Sequence, residues 1–314
     1  MSGQPRMVKA FAPATVANVA SGFDVLGFAV SHPGDTVEAS RTEAGGVTLR
    51  EVTGDGGRLP RDGRNTAVIA VRALLERLGE PFGVELALHK GMPMASGLGG
   101  SAASAAAALV AVNRLAGDAV PPEELLPCAL AAERAAAGAG HADNAAPALM
   151  GGVVLIRSGD PPDLVRLPVP AGLAVALLSP DVEIRTAAAR RMLPTEIPLT
   201  RAVSQWGNLA ALVASLHSGD LALMGRSMHD VVAEPVRAAL IPGFDRVKEA
   251  ALAAGAIGCS ISGSGPAVFA LAATAARAAE VGECMKEAFA TAGLRSVCYV
   301  SEIGTSGPCV LAES

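Results

Sequence analysis

A glycine-rich loop opening directly into a helix made almost entirely of alanine constrains this chain more than any other stretch. Residues 93 to 104 read Pro93-Met94-Ala95-Ser96-Gly97-Leu98-Gly99-Gly100-Ser101-Ala102-Ala103-Ser104, and Ala105 to Ala108 follow. Glycines let the backbone turn tightly and bring its N–H groups close to an anion, and a helix starting near Ser101 adds the positive end of its dipole. The loop therefore reads as a phosphate cradle, and the helix behind it as a thin, closely packed core element. A Walker A loop needs a lysine directly after its last glycine, and none of the four lysines (Lys9, Lys90, Lys248, Lys286) stands there. A dinucleotide fingerprint needs a strand running into the first glycine and an acidic residue ending a second strand about 20 residues on. Here Pro93 separates the expected strand Val84 to His89 from Gly97, and the acidic position falls in Pro121-Pro-Glu-Glu124, a helix start.

The 314 residues allow two domains, and 51% hydrophobic composition excludes a largely disordered chain. Only 3% is aromatic, so alanine, valine and leucine must build the core. A net charge of -5 offers no basic stripe for nucleic acid, and the scarcity of aromatics removes the stacking platforms that single strands need. Small-molecule chemistry is favoured. The five cysteines (Cys128, Cys259, Cys284, Cys298, Cys309) are odd in number and lack a C-x-x-C, which argues for buried thiols in a reducing compartment rather than disulfides or zinc. Met1 to Met7 has no apolar run and is expected to be a short frayed tail, not a secretory signal. Gly91 to Asn113 is uncharged, but only Ser101 onward is good helix, too short to cross a bilayer. A protein of the cytoplasm, without membrane or nucleic-acid partners, is expected.

Along the chain, strands are expected at Val8 to Ala12, Val84 to Leu88, Val153 to Ile156, Leu173 to Leu178 and Val297 to Val300, with a further apolar stretch at Phe23 to Val30. Thr36 to Thr42 and Val47 to Val52 flank Gly45-Gly46 as a hairpin. Asn65 caps a helix with apolar positions at Val68, Val71, Leu74, Leu75 and Leu78. Further helices follow the loop, span Pro122 to Ala137, and recur at Thr186 to Met192, Arg201 to His217, Leu221 to Asp230, Phe244 to Ala254 and Ala275 to Ala292. A strand-turn-strand unit surrounds Gly263-Ser264-Gly265-Pro266. The Pro-rich stretch from Asp160 to Pro170 breaks the periodicity and sets the expected domain boundary, giving units 1–165 and 166–314. The class is α+β.

Three segments carry polar groups that a core does not explain. Asn18 and Asp24 stand in the otherwise small or apolar run Ala12 to Gly27, Glu133 lies in an alanine-rich helix eight residues before His141-Ala-Asp143-Asn144, and Gly263 to Pro266 forms a second glycine turn. Alone, Glu133 reads equally well as a solvated helix residue, and His141 as a core histidine. Together, over almost the full chain, these segments resemble the GHMP small-molecule kinases (galactokinase, homoserine kinase, mevalonate kinase and phosphomevalonate kinase). That family has an N-terminal Pro-x-Ser/Thr-x-Ala-Asn segment, a Pro-x-x-x-Gly-Leu-Gly-Ser-Ser-Ala loop and a C-terminal glycine turn. The runs Ala17 to Gly27, Glu133 to Asn144 and Ala233 to Phe244 are similar to the homoserine kinases within it.

The resemblance implies a two-domain fold: an N-terminal domain related to the second domain of ribosomal protein S5, with a left-handed βαβ crossover, and a ferredoxin-like C-terminal domain. It implies ATP and Mg²⁺ as cofactors, L-homoserine as the small-molecule acceptor and a place in threonine biosynthesis, and it allows a homodimer. Another kinase of the superfamily is the competing reading, separated by whether the acceptor pocket carries two arginines for a carboxylate. Pro93 to Ala103 would hold ATP, and Ser101 and Glu133 the metal. Asn18, Asp24, His141, Asn144, Thr186, Arg190 and Arg237 would form the acceptor pocket, with Asn144 and Asp24 at the reacting hydroxyl. Gly263, Ser264 and Gly265 would support the phosphate loop. One departure is Gly100, where the family commonly has the first of two serines; backbone cradling survives the change, because it uses N–H groups.

Overall fold

The computed structural model describes residues 5–138, 140–159 and 161–314; residues 1–4 of the expected tail Met1 to Met7 and Asp160 of the Pro-rich stretch lie outside them, while Arg6 and Met7 are tied by their N–H groups to the Ser314 carbonyl. The first sheet is built from β1 (Met7–Ala17), β2 (Leu26–Thr42), β3 (Val47–Thr53), β4 (Gly83–His89), β5 (Val153–Gly159) and β6 (Pro162–Leu167). Its helices are α1 (Thr66–Arg77), α2 (Gly100–Leu115), α3 (Leu126–Ala137) and α4 (Ala142–Met150). The second sheet contains β7 (Ala174–Pro180), then, beyond α5 (Thr186–Arg191), α6 (Leu199–Ser218), α7 (Leu221–Ser227), α8 (Glu234–Arg237) and α9 (Phe244–Ala253), the strands β8 (Gly258–Ile261) and β9 (Val268–Ala272). Helix α10 (Ala275–Thr291) leads to its last strand, β10 (Ser296–Glu302), and β11 (Cys309–Glu313) follows.

The alanines of α2 decide the packing of the first half. Ala102, Ala103, Ala105 to Ala108 and Ala111 are wholly buried, and with no long side chains the helix lies directly on β1 and β2 under α1 and α3. Asn65 caps α1 as expected, its side chain accepting from Ala67 N–H at 3.0 Å.

The expected hairpin around Gly45-Gly46 does not form. The sheet order is β11-β1-β2-β4-β3, so β4 sits between the two strands, antiparallel to β2 and parallel to β3. The buried row Val84, Leu86 and Leu88 of β4 gives both neighbours an apolar edge to lean on, and α1 makes the β3–β4 connection a parallel βαβ crossover. The boundary expected at 165/166 falls inside β6. Its proline is the strand's first residue, where a missing N–H is tolerated, and β6 pairs with β5 in the first sheet. The chain also comes back: β11 pairs with β1, so the first sheet draws on both ends of the sequence.

The second sheet has the order β10-β7-β9-β8, every pair antiparallel. With β-α-β-β-α-β succession this is the ferredoxin-like arrangement, and α9 and α10 cover it. The two sheets share a core. Phe28 of β2 meets Phe269 of β9 edge-to-face at 5.9 Å, and Leu177, Phe269 and Leu271 join the apolar cluster of the first sheet. Ser301 Oγ accepts from the N–H groups of Ser31 and His32 across the same seam.

Candidate active site

The glycine loop lies at this seam because glycine alone fits there. Gly97 has φ +80°, and a Cβ on it would fall 2.7 Å from the Gly265 carbonyl oxygen and 2.8 Å from that of Ser262. Gly99, at φ +68°, would place one 1.9 Å from Thr15 Oγ1. With these positions free of side chains, three hydrogen bonds fix the loop: Thr15 N–H to the Leu98 carbonyl (3.1 Å), Ala267 N–H to Ser96 (2.9 Å) and Ser262 Oγ to Gly97 (2.8 Å). The glycine turn of the second domain thus grips the loop of the first.

Helix α2 starts at the end of the loop. Ala103 N–H already bonds the Gly99 carbonyl at 2.9 Å, so the N–H groups that a helix leaves free for an anion are those before it. Of the residues that the resemblance assigns to nucleotide, Leu98, Ala102 and Ala103 have fully buried side chains and offer only backbone, while Pro93 and Met94 are half-buried and Ala95 is exposed. Behind the loop lies a group that sequence reasoning passed over. Lys90 Nζ, buried, pairs with the wholly buried Asp35 and donates to the Gly100 carbonyl (2.7 Å) and Ser104 Oγ (2.9 Å). A Cβ on Gly100 would stand 3.2 Å from Lys90 Nζ, a close approach that a small shift at the end of the lysine side chain would relieve.

Glu133 is not a solvated helix residue. It is 6% exposed, and Ser101 Oγ donates to its Oε1 at 2.5 Å. Burial pushes its carboxyl up, partly offset by the serine. Among the described residues its one side-chain partner is the Ser101 hydroxyl at the start of α2, and a buried carboxylate beside a hydroxyl is a hard-oxygen donor pair of the kind a divalent cation takes.

The run Asn18 to Asp24 forms a left-handed turn. Asn18, Val19 and Ala20 have φ of +71°, +42° and +56°, and Asp24 has +60°. Each such non-glycine residue costs of order 1–3 kcal/mol, and a β-branched valine there is unusual. The turn is held by Asn18, whose Nδ2 donates to the Gly263 carbonyl (2.8 Å) and whose Oδ1 accepts from Asp24 N–H (2.9 Å). Asp24 faces Arg190 of α5 in a two-pronged ion pair, with contacts of 2.8 and 2.6 Å, and His141 Nδ1 at 3.8 Å. Burial, joined by the two nearby guanidiniums and opposed by Asp24, lowers the pKa of His141. Arg237, at the end of α8, is 4% exposed, and its Nη1 donates to the same Gly263 carbonyl at 2.9 Å. It does not pair with Glu234, which bonds Lys248 and Ser260 instead. Arg237 Nε is buried with no hydrogen-bond partner among the described residues, and burial lowers its guanidinium's pKa.

Asn144 and Thr186 complete the group. Thr15 Oγ1 donates to Asn144 Oδ1 at 2.7 Å, which turns the Asn144 NH₂ away from it, and Thr186 Oγ1 lies 3.4 Å from Ser264 Oγ. Next to Asn144, Asp143 is buried, and its carboxyl is pushed up to about 7 by burial and by the charges of Asp24 and Glu133. Thr15 stood in the sequence as the threonine of the Pro-x-Thr-x-Ala-Asn segment; Lys90, Asp35 and Ser262 carried no motif signal.

The chain matches the models for the GHMP kinases N terminal domain at residues 65–152 and GHMP kinases C terminal at 211–291. It is 50% identical to a homoserine kinase of Chlorobium phaeovibrioides over 98% of this chain and all of that one. It is 46% identical to a homoserine kinase of Arabidopsis thaliana over 96% of this chain and 83% of that one. Among solved structures, homoserine kinase from Cytophaga hutchinsonii superposes with a TM-score of 0.96 at 50% identity over 99% of both chains. Mevalonate kinase of L. major, at 16% identity over 96% of this chain and 98% of that one, shares the fold with a TM-score of 0.73. The glycine loop gripped between two domains, the buried Ser101–Glu133 pair and these matches over the whole length lead to one assignment: the chain belongs to the GHMP kinase family, among its homoserine kinases.

Proposed function

We propose that this protein transfers the γ-phosphoryl group of ATP to the side-chain hydroxyl of L-homoserine, giving O-phospho-L-homoserine and ADP for threonine formation. The observation that carries the acceptor is the placement of one carboxylate and two guanidiniums about a single point: Asp24, Arg190 paired with it, and the buried Arg237 whose Nε has no acceptor. An amino acid supplies the matching charges, its ammonium for Asp24 and its carboxylate for the arginines. Galactose and shikimate cannot offer both.

ATP phosphates would lie on the free N–H groups at the start of α2. Ser101 and Glu133 would hold Mg²⁺, which supplies charge neutralisation of the phosphates when bound. The homoserine oxygen attacks the γ-phosphorus in line, a P–O bond forms as the bond to the β–γ bridging oxygen breaks, and the hydroxyl proton leaves to a phosphate oxygen or water. Asn144 has no basicity to take it. Its NH₂ positions the hydroxyl, and catalysis rests on positioning and charge stabilisation, which phosphoryl transfer permits. Both substrates are made inside the cell, which supports a cytoplasmic enzyme.

The test is ADP release with Mg-ATP across homoserine, mevalonate, galactose and shikimate. Turnover of homoserine alone is expected; turnover of mevalonate without homoserine overturns the proposal.

A further inference from the structure

Asp24 and the two arginines have known charges to offer an amino acid, but nothing so far accounts for how two guanidiniums are kept side by side. Like charges repel, Arg190 is half exposed on a short helix, and Arg237 comes from a different helix altogether. The residue they have in common is Phe23. The guanidinium carbon of Arg190 lies over its ring at 5.4 Å from the centroid, and that of Arg237 at 5.1 Å. Phe23 immediately precedes Asp24, in the turn whose left-handed residues and Asn18 hydrogen bonds fix its direction.

We infer that Phe23 is a positioning residue for acceptor choice: its ring holds the Arg190 and Arg237 guanidiniums in a common cluster, aimed at the carboxylate of the acceptor. An aromatic face attracts a cation within about 6 Å, and the attraction grows as the cation is desolvated. Arg237 is the case where this matters most, because its guanidinium is buried, donates from Nη1 to the Gly263 carbonyl and leaves Nε without a partner among the described residues. Arg190 has Asp24 to hold it, but its side chain is partly exposed, and the ring gives its guanidinium a second contact. The ring's cation contacts are with Arg190 and Arg237, the groups that would take the acceptor carboxylate, so its effect belongs to acceptor binding rather than to ATP binding.

This inference rests on the reading of the site as an amino-acid pocket, and the experiment separates the two. Phe23→Leu, Phe23→Tyr and the parent protein are compared for KM of homoserine, KM of ATP, kcat and thermal midpoint, with an aminopropanol that has the amine and hydroxyl but no carboxylate as a second acceptor. Phe23→Leu is expected to raise the homoserine KM by roughly 5- to 30-fold, with the ATP KM unchanged. Phe23→Tyr should restore it, because it keeps the ring. The leucine variant should treat the carboxylate-free acceptor as the parent does. If the homoserine KM of Phe23→Leu stays within twofold of the parent, or if tyrosine is no better than leucine, the ring is packing only and the inference fails. If the aminopropanol loses as much as homoserine, the guanidiniums are not what the ring positions, and it fails equally. Failure of the parent to turn over homoserine would instead strike the acceptor reading itself.

Discussion

Asp143 is the residue whose environment separates two readings of the chemistry. Its buried carboxyl, pushed up to about 7, has the proton affinity of a general base, yet Asn18 N–H donates to it and it sits within the first turn of α4, facing charge from Asp24 and Glu133. Asparagine keeps an oxygen for the Asn18 N–H and is neutral at every pH. Asp143→Asn is therefore expected to retain substantial kcat, and loss of activity to background in a folded variant would make Asp143 the base. Stability supplies a second readout. The folded carboxyl holds its proton to about pH 7 while the unfolded chain releases it near pH 4, so the unfolded state binds fewer protons in that window and the wild-type protein loses stability as pH rises through it. The thermal midpoint of Asp143→Asn minus that of the parent should accordingly grow between pH 5 and pH 8; a constant difference would mean the carboxyl is not buried as described. Glu133 offers a matching test. Glu133→Gln keeps an acceptor for Ser101 but loses the charge, and should weaken Mg-ATP by roughly 10- to 100-fold while leaving metal-free ATP binding near its parent value. Titrations with and without Mg²⁺ decide it, equal losses arguing against a metal role. From sequence alone Glu133 was ambiguous, since one acidic residue in an alanine helix says nothing about what packs over it. The fold buries it against Ser101, and only coordinates reveal Lys90, Asp35 and Phe23, whose partners lie far off in sequence.

Helix α2 and its loop were legible because everything that makes them is local: glycines at left-handed positions, a helix start, alanine for close packing. The hairpin was misread for the opposite reason. The strand that displaces it, β4, begins some 40 residues after β2 ends, and no short-range signal in Gly45-Gly46 tells a turn from a crossover. Helix α4 was missed as an element because Pro147 interrupts its nine residues, and β6 because prolines at its start imitate a linker. The same local logic gives a prediction for the loop. A Cβ at Gly99 would meet Thr15 Oγ1 and stand 2.8 Å from Asn144 Oδ1, on a backbone with positive φ. Gly99→Ala should therefore cost about 1–3 kcal/mol of stability and lower kcat/KM by roughly tenfold or more, since it pushes Thr15 away from Asn144, the residue proposed to position the acceptor hydroxyl. Unfolding midpoints with kinetics on the same preparation check both, and a fully active variant would show that the loop tolerates a second geometry.

At the scale of the whole molecule, the active site is a joint. The phosphate loop belongs to the first sheet, the arginines and the glycine turn to the second, and the Gly263 carbonyl receives one donor from each side, Asn18 and Arg237. The apolar seam beneath them is continuous, with Phe28 on Phe269. One cooperative unfolding transition is expected, and Phe28→Ala should lower stability by about 3–5 kcal/mol while keeping the transition single. Two resolved calorimetric peaks in the parent protein would show that the seam does not couple the halves. The strand β11 carries a different consequence. It lies against β1, so Val8 meets Glu313 and Phe11 meets Cys309 across almost the full sequence. On the ribosome, the sheet that holds the phosphate loop stays one strand short until residues 309 to 313 leave the exit tunnel, and for most of synthesis the outer edge of β1 is an unpaired edge open to other nascent strands.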